Sequence, residues 1–264
     1  MANWTSAICE TNGIRMHYSR TGGSKPPLVL LHGLAANGLC WSVIAHTLEE
    51  EYDVIMPDFR GHGKSSVPDD GYRYDDLAND VSGLVNGLGI SAPILIGHSM
   101  GGLVAAVVAS HHPELIRGLI LADPTFSSLK QQREIRDSDV ADQHRKFLKW
   151  SFEDAVKELQ ARHPHRPLST IEFIARARLE TSMSAFDILT PPNPDYIQLA
   201  RSFNVPSLLV IADDGVVSAE LASELQLINP ILQVAQINDA GHGIFYDQPD
   251  RFCAIVRSFL QSID

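Results

Sequence analysis

The stretch ILIGHSMGG, residues 94–102, ends a short aliphatic run with a serine that lies among glycines. The aliphatic run predicts a buried strand, and LVAAVVAS after it predicts a helix. A sharp strand-to-helix turn strains the backbone and crowds its neighbours, so the residues two before and two after the serine must be small. Gly97 and Gly101 meet this requirement around Ser99. The pattern therefore indicates that Ser99 is a nucleophile.

Similar apolar runs recur along the chain with predicted helices between them. Continuous apolar runs are typical of strands covered on both faces, so the alternation predicts an α/β protein with a mostly parallel central sheet. The predicted strands are residues 28–31, 54–56, 94–96, 119–122, 208–211 and 234–237. The predicted helices are residues 75–88, 100–111, 217–228 and 247–263.

Residues 127–204 break this alternation. They contain helical patterns, such as residues 140–162, but no convincing strand. Ser169-x-x-Glu172 predicts a capping box at the start of a further helix. We therefore predict an α/β core formed by residues 1–126 and 205–264, with residues 127–204 inserted as a helical cap.

The predicted cap is rich in aromatic residues, which favours an enclosed apolar pocket over Ser99. Phe126, the residue next to this segment, and Trp150 within it are therefore candidate substrate-binding residues. Trp41, in the motif GLCW, fits either the pocket wall or the core. A small apolar substrate is expected, because an enclosed pocket would leave an ionised group desolvated.

Composition and charge exclude several classes of partner. Lys and Arg total 21 against 32 Asp and Glu, and the net charge of -11 argues against nucleic acid or an anionic membrane as a partner.

The first residues do not resemble a signal peptide and no apolar run is long enough to span a membrane, so a cytoplasmic protein is expected. Three scattered cysteines predict buried free thiols and no metal site. A homodimer is compatible with the sequence.

Four blocks of sequence together resemble the α/β-hydrolase superfamily of esterases and lactonases. They are LLHGLAANGLCW, DFRGHGKSS, GHSMGG and AGHGIFYDQPDRF. The resemblance implies the α/β-hydrolase fold, a mostly parallel sheet flanked by helices, with a serine–histidine–acid triad. It implies that His242 is the general base and that Leu34 provides one oxyanion-hole N–H. Met100 provides the other, because the residue after Ser99 begins a helix and its N–H is free to donate.

The remaining histidines have weaker claims to a catalytic role. His98 adjoins Ser99, but neighbouring side chains diverge at such a turn, so a structural role is predicted for it. The histidines predicted to be solvated are His111, His112, His144, His163 and His165. In DFRGHGKSS, Asp58, Arg60 and Ser65 are expected to bond local backbone as part of the scaffold.

Three aspartates are candidates for the acid that orients the histidine. Asp123 ends LILAD, and in the resembling haloalkane and fluoroacetate dehalogenases the acid follows this same strand. In many resembling esterases the acid lies in the loop after the next strand, here VIADDGVVS, which offers Asp213 or Asp214. That loop is one residue shorter than the family's usual G-x-x-D-x-x-V, which favours Asp123. The alternative role for Asp123 is to close its strand beside Pro124.

The sequence thus predicts a serine hydrolase that cleaves a carboxylic ester or lactone through an acyl-enzyme, with no cofactor and no metal. A serine at position 99 disfavours the chemistry of epoxide hydrolases and haloalkane dehalogenases, which have an aspartate there. The alternatives are a carbon–carbon bond (dienoate) hydrolase, a perhydrolase, and a hydrolase-like receptor for a small molecule.

Overall fold

The computed structural model describes residues 4–263, so residues 1–3 and 264 of the predicted core lie outside the described residues. The strands are β1 (Thr5–Thr11), β2 (Ile14–Arg20), β3 (Pro27–Leu31), β4 (Asp53–Pro57), β5 (Ile94–His98), β6 (Gly118–Ala122), β7 (Ser207–Asp214) and β8 (Leu232–Gly241). The α-helices are α1 (Ser42–Leu48), α2 (Tyr74–Gly87), α3 (Met100–His111), α4 (Leu129–Asp137), α5 (Val140–Phe147), α6 (Phe152–Arg162), α7 (Leu168–Leu179), α8 (Tyr196–Ser202), α9 (Ala219–Ile228), α10 (Ile244–Asp247) and α11 (Pro249–Ile263). Short 3₁₀ helices occupy Gly38–Trp41, Pro113–Leu115 and Met183–Leu189.

All eight strands form one sheet in the order β1-β2-β4-β3-β5-β6-β7-β8. The strands from β3 to β8 pair in parallel, whereas β1 pairs with β2, and β2 with β4, in antiparallel fashion. The predicted α/β-hydrolase fold is confirmed. The sequence did not predict the antiparallel β1–β2 hairpin, because β1 is an edge strand whose residues are largely exposed and carry no continuous apolar run.

Strand register brings two predicted site residues to the same edge of the sheet. His98, the last residue of β5, pairs with Ala122, the last residue of β6. Ser99 and Asp123 come directly after these two residues, and the Ser99 N–H donates to the Ala122 carbonyl at 3.1 Å. Parallel neighbours end at the same edge, so residues 24 positions apart in the chain (123 minus 99) lie side by side.

Helices cover both faces of the sheet with separate apolar layers. Val81 of α2 and Val104 of α3 are fully buried on one face, and Ile44 of α1 and Val256 of α11 are fully buried on the other. The predicted free and buried thiols are confirmed for Cys9, Cys40 and Cys253. No helix within residues 4–263 combines the length and the apolar character needed to cross a membrane.

The segment between β6 and β7 is helical in the described part of the chain. Helices α5, α6 and α7 share a small apolar core that includes Phe147, Leu159 and Ile171. Helix α8 packs on α3 instead, and Leu199 belongs to the core layer on that face of the sheet. The long helical pattern over residues 140–162 is divided in two, because Ser151 accepts a hydrogen bond from the Asp154 N–H and starts a new helix.

The predicted capping box at Ser169 and Glu172 is wrong. Helix α7 begins one residue earlier, at Leu168, so Ser169 lies inside its first turn. Pro167 precedes the helix and no side chain caps it. Proline fixes its own φ and lacks an N–H, which makes a helix start beside it favourable without a serine cap.

The loop after β4 is held by side chains of the motif DFRGHGKSS. The Asp58 carboxylate accepts hydrogen bonds from the N–H groups of Gly38 at 2.7 Å and Lys64 at 3.0 Å. The Ser65 hydroxyl donates to the Asp58 carbonyl at 2.6 Å. The bonds with Lys64 and Ser65 are local, as the predicted scaffold role requires, whereas Gly38 is distant in the chain and Arg60 pairs with the side chain of Asp80.

Replacing Arg60 by methionine should lower the free energy of unfolding by about 3–5 kcal/mol, because it leaves the Asp80 carboxylate buried without its partner. The Arg60 guanidinium donates to both Asp80 oxygens at 2.6 and 2.7 Å, and the two side chains are 5% and 0% exposed. Urea denaturation of the purified variant measures the loss. Arg15→Met is the control, because the ion pair of Arg15 with Glu10 is exposed and should contribute less than about 1 kcal/mol. Equal, small losses in the two variants would contradict this account.

Candidate active site

Ser99 occupies the strained turn between β5 and α3. Its backbone has φ 55° and ψ −120°, a conformation that is rare for residues other than glycine and costs about 1–3 kcal/mol. A Cβ atom on Gly97 would overlap the Gly101 carbonyl oxygen, and a Cβ on Gly101 would overlap the carbonyl oxygens of Leu31 and His32. The glycines therefore leave room for the tight turn that projects Ser99, as the sequence pattern predicts.

Ser99, His242 and Asp123 form one hydrogen-bonded chain. His242 lies in the loop after β8, and its Nε2 is 2.9 Å from the Ser99 Oγ. Its Nδ1 is 2.5 Å from Oδ2 of Asp123, whose side chain is fully buried. An ionised carboxylate only accepts hydrogen bonds, so Nδ1 carries the proton and Nε2 is free to accept the proton of the Ser99 hydroxyl. This arrangement can activate a serine hydroxyl for attack on a carbonyl carbon.

Asp123, and neither of the other two candidates, lies against the histidine. The Asp123 carboxylate also accepts from the N–H groups of Val216, at 2.8 and 3.0 Å, and Val217, at 2.9 Å. Asp213 instead accepts from the Gln236 side chain and the Asp239 N–H. The short loop after β7 thus directs backbone donors towards Asp123 and does not direct an acid towards His242.

Asp214 ends β7 and is exposed, although it contributes to the wall of the cavity in front of Ser99. No hydrogen bond or ion pair joins its carboxylate to His242 in the described residues. Between Asp214 and Val216, Gly215 passes so close to Asp123 that an added Cβ would lie 2.8 Å from both carboxylate oxygens. A side chain at this position would therefore push the loop away from Asp123.

The two candidate oxyanion donors, Leu34 and Met100, belong to segments that adjoin Ser99. Met100 is the first residue of α3, and the first N–H groups of a helix have no acceptor within it. Leu34 lies in the loop after β3, and no partner for its N–H occurs within residues 4–263. The preceding residue, Gly33, approaches Ser99 closely, since an added Cβ would lie 3.1 Å from the Ser99 Cβ.

A buried histidine fixes the loop that carries Leu34. The Nε2 atom of His62 accepts a hydrogen bond from the Ala35 N–H at 3.2 Å, and its Nδ1 donates to the Arg60 carbonyl at 3.0 Å. Burial, reinforced by the neighbouring His32, lowers the pKa of His62 to about 3. The ring is therefore neutral near pH 7, and Nε2 keeps the lone pair that this loop requires.

His98 has a structural contact of the kind the sequence predicts. Its Nε2 donates to the main-chain carbonyl of His242 at 2.7 Å, and the two rings lie 4.7 Å apart. Burial, followed by the neighbouring His242 imidazole, lowers the pKa of His98 to about 3. A neutral His98 thus holds the loop on which His242 is presented.

A cavity of about 690 Å³ opens in front of Ser99 and His242. None of the three aromatic candidates for substrate binding is part of its lining. Trp41 is fully buried and stacks on Phe245 at 4.2 Å, because it fills the core beneath the site. Phe126 stacks on Tyr196 at 5.4 Å. Trp150 packs against Phe147 in the apolar core shared by α5, α6 and α7.

Two histidines of the helical segment differ from the expectation that they are solvated. For His144 that prediction is wrong: it is fully buried, stacks on Phe186 at 4.4 Å and donates to the Thr181 carbonyl at 2.9 Å. His163 is partly buried and lines the cavity, and burial, followed by the charge of Arg166, lowers its pKa. Helical surroundings do not distinguish a solvated histidine from one packed between helices.

The structure also brings two arginines into the cavity wall that sequence reasoning missed, Arg166 and Arg178. Arg178 had a detectable signal. Ile171, Ala175 and Arg178 are separated by four and then three residues, which places all three on one face of the helix. Ile171 and Ala175 are both fully buried. An arginine on the apolar face of a helix is unusual and marks a candidate functional residue.

Comparison with known proteins identifies the class to which this fold and site belong. The sequence profile of the alpha/beta hydrolase fold matches residues 26–249. The chain therefore belongs to the alpha/beta hydrolase fold family, and it is a hydrolase by family.

Individual relatives lie among small-molecule hydrolases. The chain is 31% identical over 265 residues to N-formylmaleamate deformylase of Pseudomonas putida, with 94% of each chain covered. It is 25% identical over 258 residues to 2-(acetamidomethylene)succinate hydrolase of Mesorhizobium japonicum, with 92% of this chain and 91% of the relative covered. Among solved structures, a thermophilic esterase from Thermogutta terrifontis superposes with a TM-score of 0.81 at 26% identity, covering 98% of this chain and 99% of the other.

Proposed function

We propose that this protein is a serine hydrolase that cleaves a small carboxylic ester or lactone through an acyl-enzyme intermediate. The observation that supports this most directly is the hydrogen-bonded chain from Asp123 through His242 to Ser99, which opens onto a cavity. A serine hydroxyl is a weak nucleophile near pH 7, and a base at hydrogen-bonding distance is the usual means of activating it.

The proposed reaction uses groups of the chain in two stages. Ser99 Oγ attacks the acyl carbon while its proton passes to His242 Nε2, and the oxyanion that forms accepts hydrogen bonds from the N–H groups of Leu34 and Met100. His242 then gives the proton to the leaving oxygen, and the acyl-enzyme remains. In the second stage His242 removes a proton from a water molecule, which attacks the acyl carbon, and His242 then returns that proton to Ser99 Oγ as the bond between Oγ and the acyl carbon breaks and the acid is released. Asp123 keeps the imidazole in the required tautomer throughout.

None of these steps requires a metal or a cofactor, because the nucleophile, the base and the oxyanion donors are all protein groups. Two backbone donors are a large part of the mechanism, since removing one oxyanion donor commonly costs about 10²–10³ in rate.

A second candidate is cleavage of an N-acyl bond. It is favoured by the relative with 31% identity, whose name describes the removal of a formyl group from N-formylmaleamate. The same chain of Ser99, His242 and Asp123 would carry out this reaction, with His242 protonating a leaving nitrogen. The two candidates differ only in the leaving atom, so turnover on matched substrates distinguishes them.

A matched substrate panel tests the proposal. It contains esters, lactones, N-formyl amides and N-acetyl amides of similar size and charge, together with a dienoate, each assayed with wild type and with Ser99→Ala. We expect hydrolysis of at least one ester or lactone series by wild type, and a loss of at least about 10⁴-fold in kcat with Ser99→Ala. Turnover confined to the N-acyl series would select the second candidate. Binding without turnover in every series would favour a receptor, and cleavage of a carbon–carbon bond in a dienoate would favour that class of hydrolase.

A further inference from the structure

Arg178 places an unpaired positive charge in the wall of the cavity onto which Ser99 opens. It lies on the buried side of α7 and lines the same cavity as Ser99 and His242. Its Nε atom is buried without a hydrogen-bond partner, and no carboxylate pairs with its guanidinium within residues 4–263. Buried charges in proteins are ordinarily paired, because removing an ion from water without a partner is costly.

The protein around Arg178 does not compensate its charge. The guanidinium carbon lies 4.4 Å from the centre of the Phe147 ring, which contributes a cation–π contact but no hydrogen bond. Burial, followed by the positive charge of Arg162, lowers the pKa of Arg178. An arginine stays protonated near neutral pH in spite of such effects, so this charge persists in a site that disfavours it.

The other charged groups of the cavity wall differ from Arg178. Arg166 is paired with Asp247, at 2.8 and 2.9 Å, and that carboxylate also accepts from the Gly241 N–H at 3.1 Å. Asp214 is exposed to solvent and forms no ion pair with either arginine in the described residues. Among the described arginines of the cavity wall, Arg178 alone lacks a counterion.

We propose that Arg178 binds a carboxylate group of the substrate, so that the preferred substrates are small acyl compounds carrying one ionised carboxylate away from the scissile bond. This inference rests on the proposed function. The planar guanidinium matches a carboxylate with two parallel hydrogen bonds. One uncompensated positive charge matches a monoanion, whereas a phosphate dianion would need further donors or cations. The expected substrate is therefore anionic at one end, in place of the wholly apolar compound that the aromatic content of residues 127–204 predicts.

Kinetics on a charged and an uncharged ester of similar size test the specificity. The pair is monoethyl succinate and ethyl valerate, assayed with wild type, Arg178→Gln, Arg178→Lys and Arg176→Gln. Loss of charge-assisted hydrogen bonds should lower kcat/KM of Arg178→Gln for monoethyl succinate by about 10- to 100-fold, while the value for ethyl valerate changes less than about threefold. Arg178→Lys should recover part of the loss, because it restores the charge but not the planar fork.

Arg176→Gln is the matched control. Arg176 lies two residues away on the same helix, is exposed, and sits over the Phe152 ring outside the cavity. Its replacement should leave both substrates unaffected. Equal slowing of both esters by Arg178→Gln, or no effect on either, would overturn the proposal.

A binding measurement separates this inference from the proposed function. Titration calorimetry of Ser99→Ala with monoethyl succinate should show binding that weakens about 10- to 100-fold when Arg178→Gln is added. Methyl phosphate in a parallel titration should bind more weakly than the carboxylate. If Ser99 is not the nucleophile, the kinetic assay fails but this binding difference persists. If the Arg178→Gln change leaves binding unaltered, or methyl phosphate binds better, the carboxylate site is contradicted whatever the role of Ser99.

Discussion

Ser99→Ala should lower kcat by at least about 10⁴-fold, and His242→Ala should lower it by a similar factor, because each change removes the attack on the acyl carbon. The Ser99 Oγ and the His242 Nε2 are 2.9 Å apart and act as one unit. The double variant should therefore be no slower than either single variant, since groups that act together are strongly non-additive.

The controls are replacements of the same residue types outside the cavity. Ser82 is a buried serine of α2 whose hydroxyl donates to the Ala78 carbonyl, and His46 is an exposed histidine of α1. Ser82→Ala and His46→Ala should keep kcat within about threefold of wild type, because neither side chain lines the cavity. Melting temperatures establish that every variant is folded. Residual turnover within about tenfold of wild type in folded Ser99→Ala would contradict the serine mechanism.

Asp123→Asn should lower kcat by about 10⁴-fold while the protein remains folded. An asparagine amide can donate where the aspartate accepted, which stabilises the wrong tautomer of His242 and leaves its Nε2 unable to take the Ser99 proton. Asp213→Asn and Asp214→Asn should lower kcat by less than about tenfold, because neither carboxylate contacts His242.

Asp123→Asn should also lower the melting temperature, because the carboxylate accepts three hydrogen bonds from the N–H groups of Val216 and Val217. Turnover is therefore compared per folded molecule, with kcat and melting temperature measured on all three asparagine variants. A normal kcat together with a lowered melting temperature in Asp123→Asn would assign Asp123 a purely structural role beside Pro124. The orienting acid would then have to be sought elsewhere.

Much of the parallel part of the fold was predictable because strands such as β5 and β6 are local, fully buried runs of mostly apolar residues. Helix α3 begins at Met100 and ends at His111, as the sequence predicts, since the glycines around Ser99 and the alanine- and valine-rich run are both local signals. The β1–β2 hairpin was missed because an edge strand exposes most of its residues and depends on pairing with a distant segment. The capping box at Ser169 failed because Pro167 already determines where that helix starts.

The site shows the same division between local and long-range information. Ser99 and His242 lie in glycine-rich motifs that can be recognised from the local sequence alone. The contact of Asp123 with His242 instead depends on strand register and on the loop around Gly215. The pocket wall was the least predictable part. Trp41 and Trp150 are aromatic residues that pack in apolar cores, and Arg178 reaches the cavity only through the packing of α7.

The most direct test of the central claim is mass spectrometry of the protein after reaction with a fluorophosphonate, which forms a stable adduct with an activated serine. We expect one adduct per chain, located by peptide mapping on Ser99, with loss of hydrolytic activity in proportion to labelling and no adduct in Ser99→Ala. An adduct on another residue, or an unlabelled Ser99 in active protein, would contradict the account.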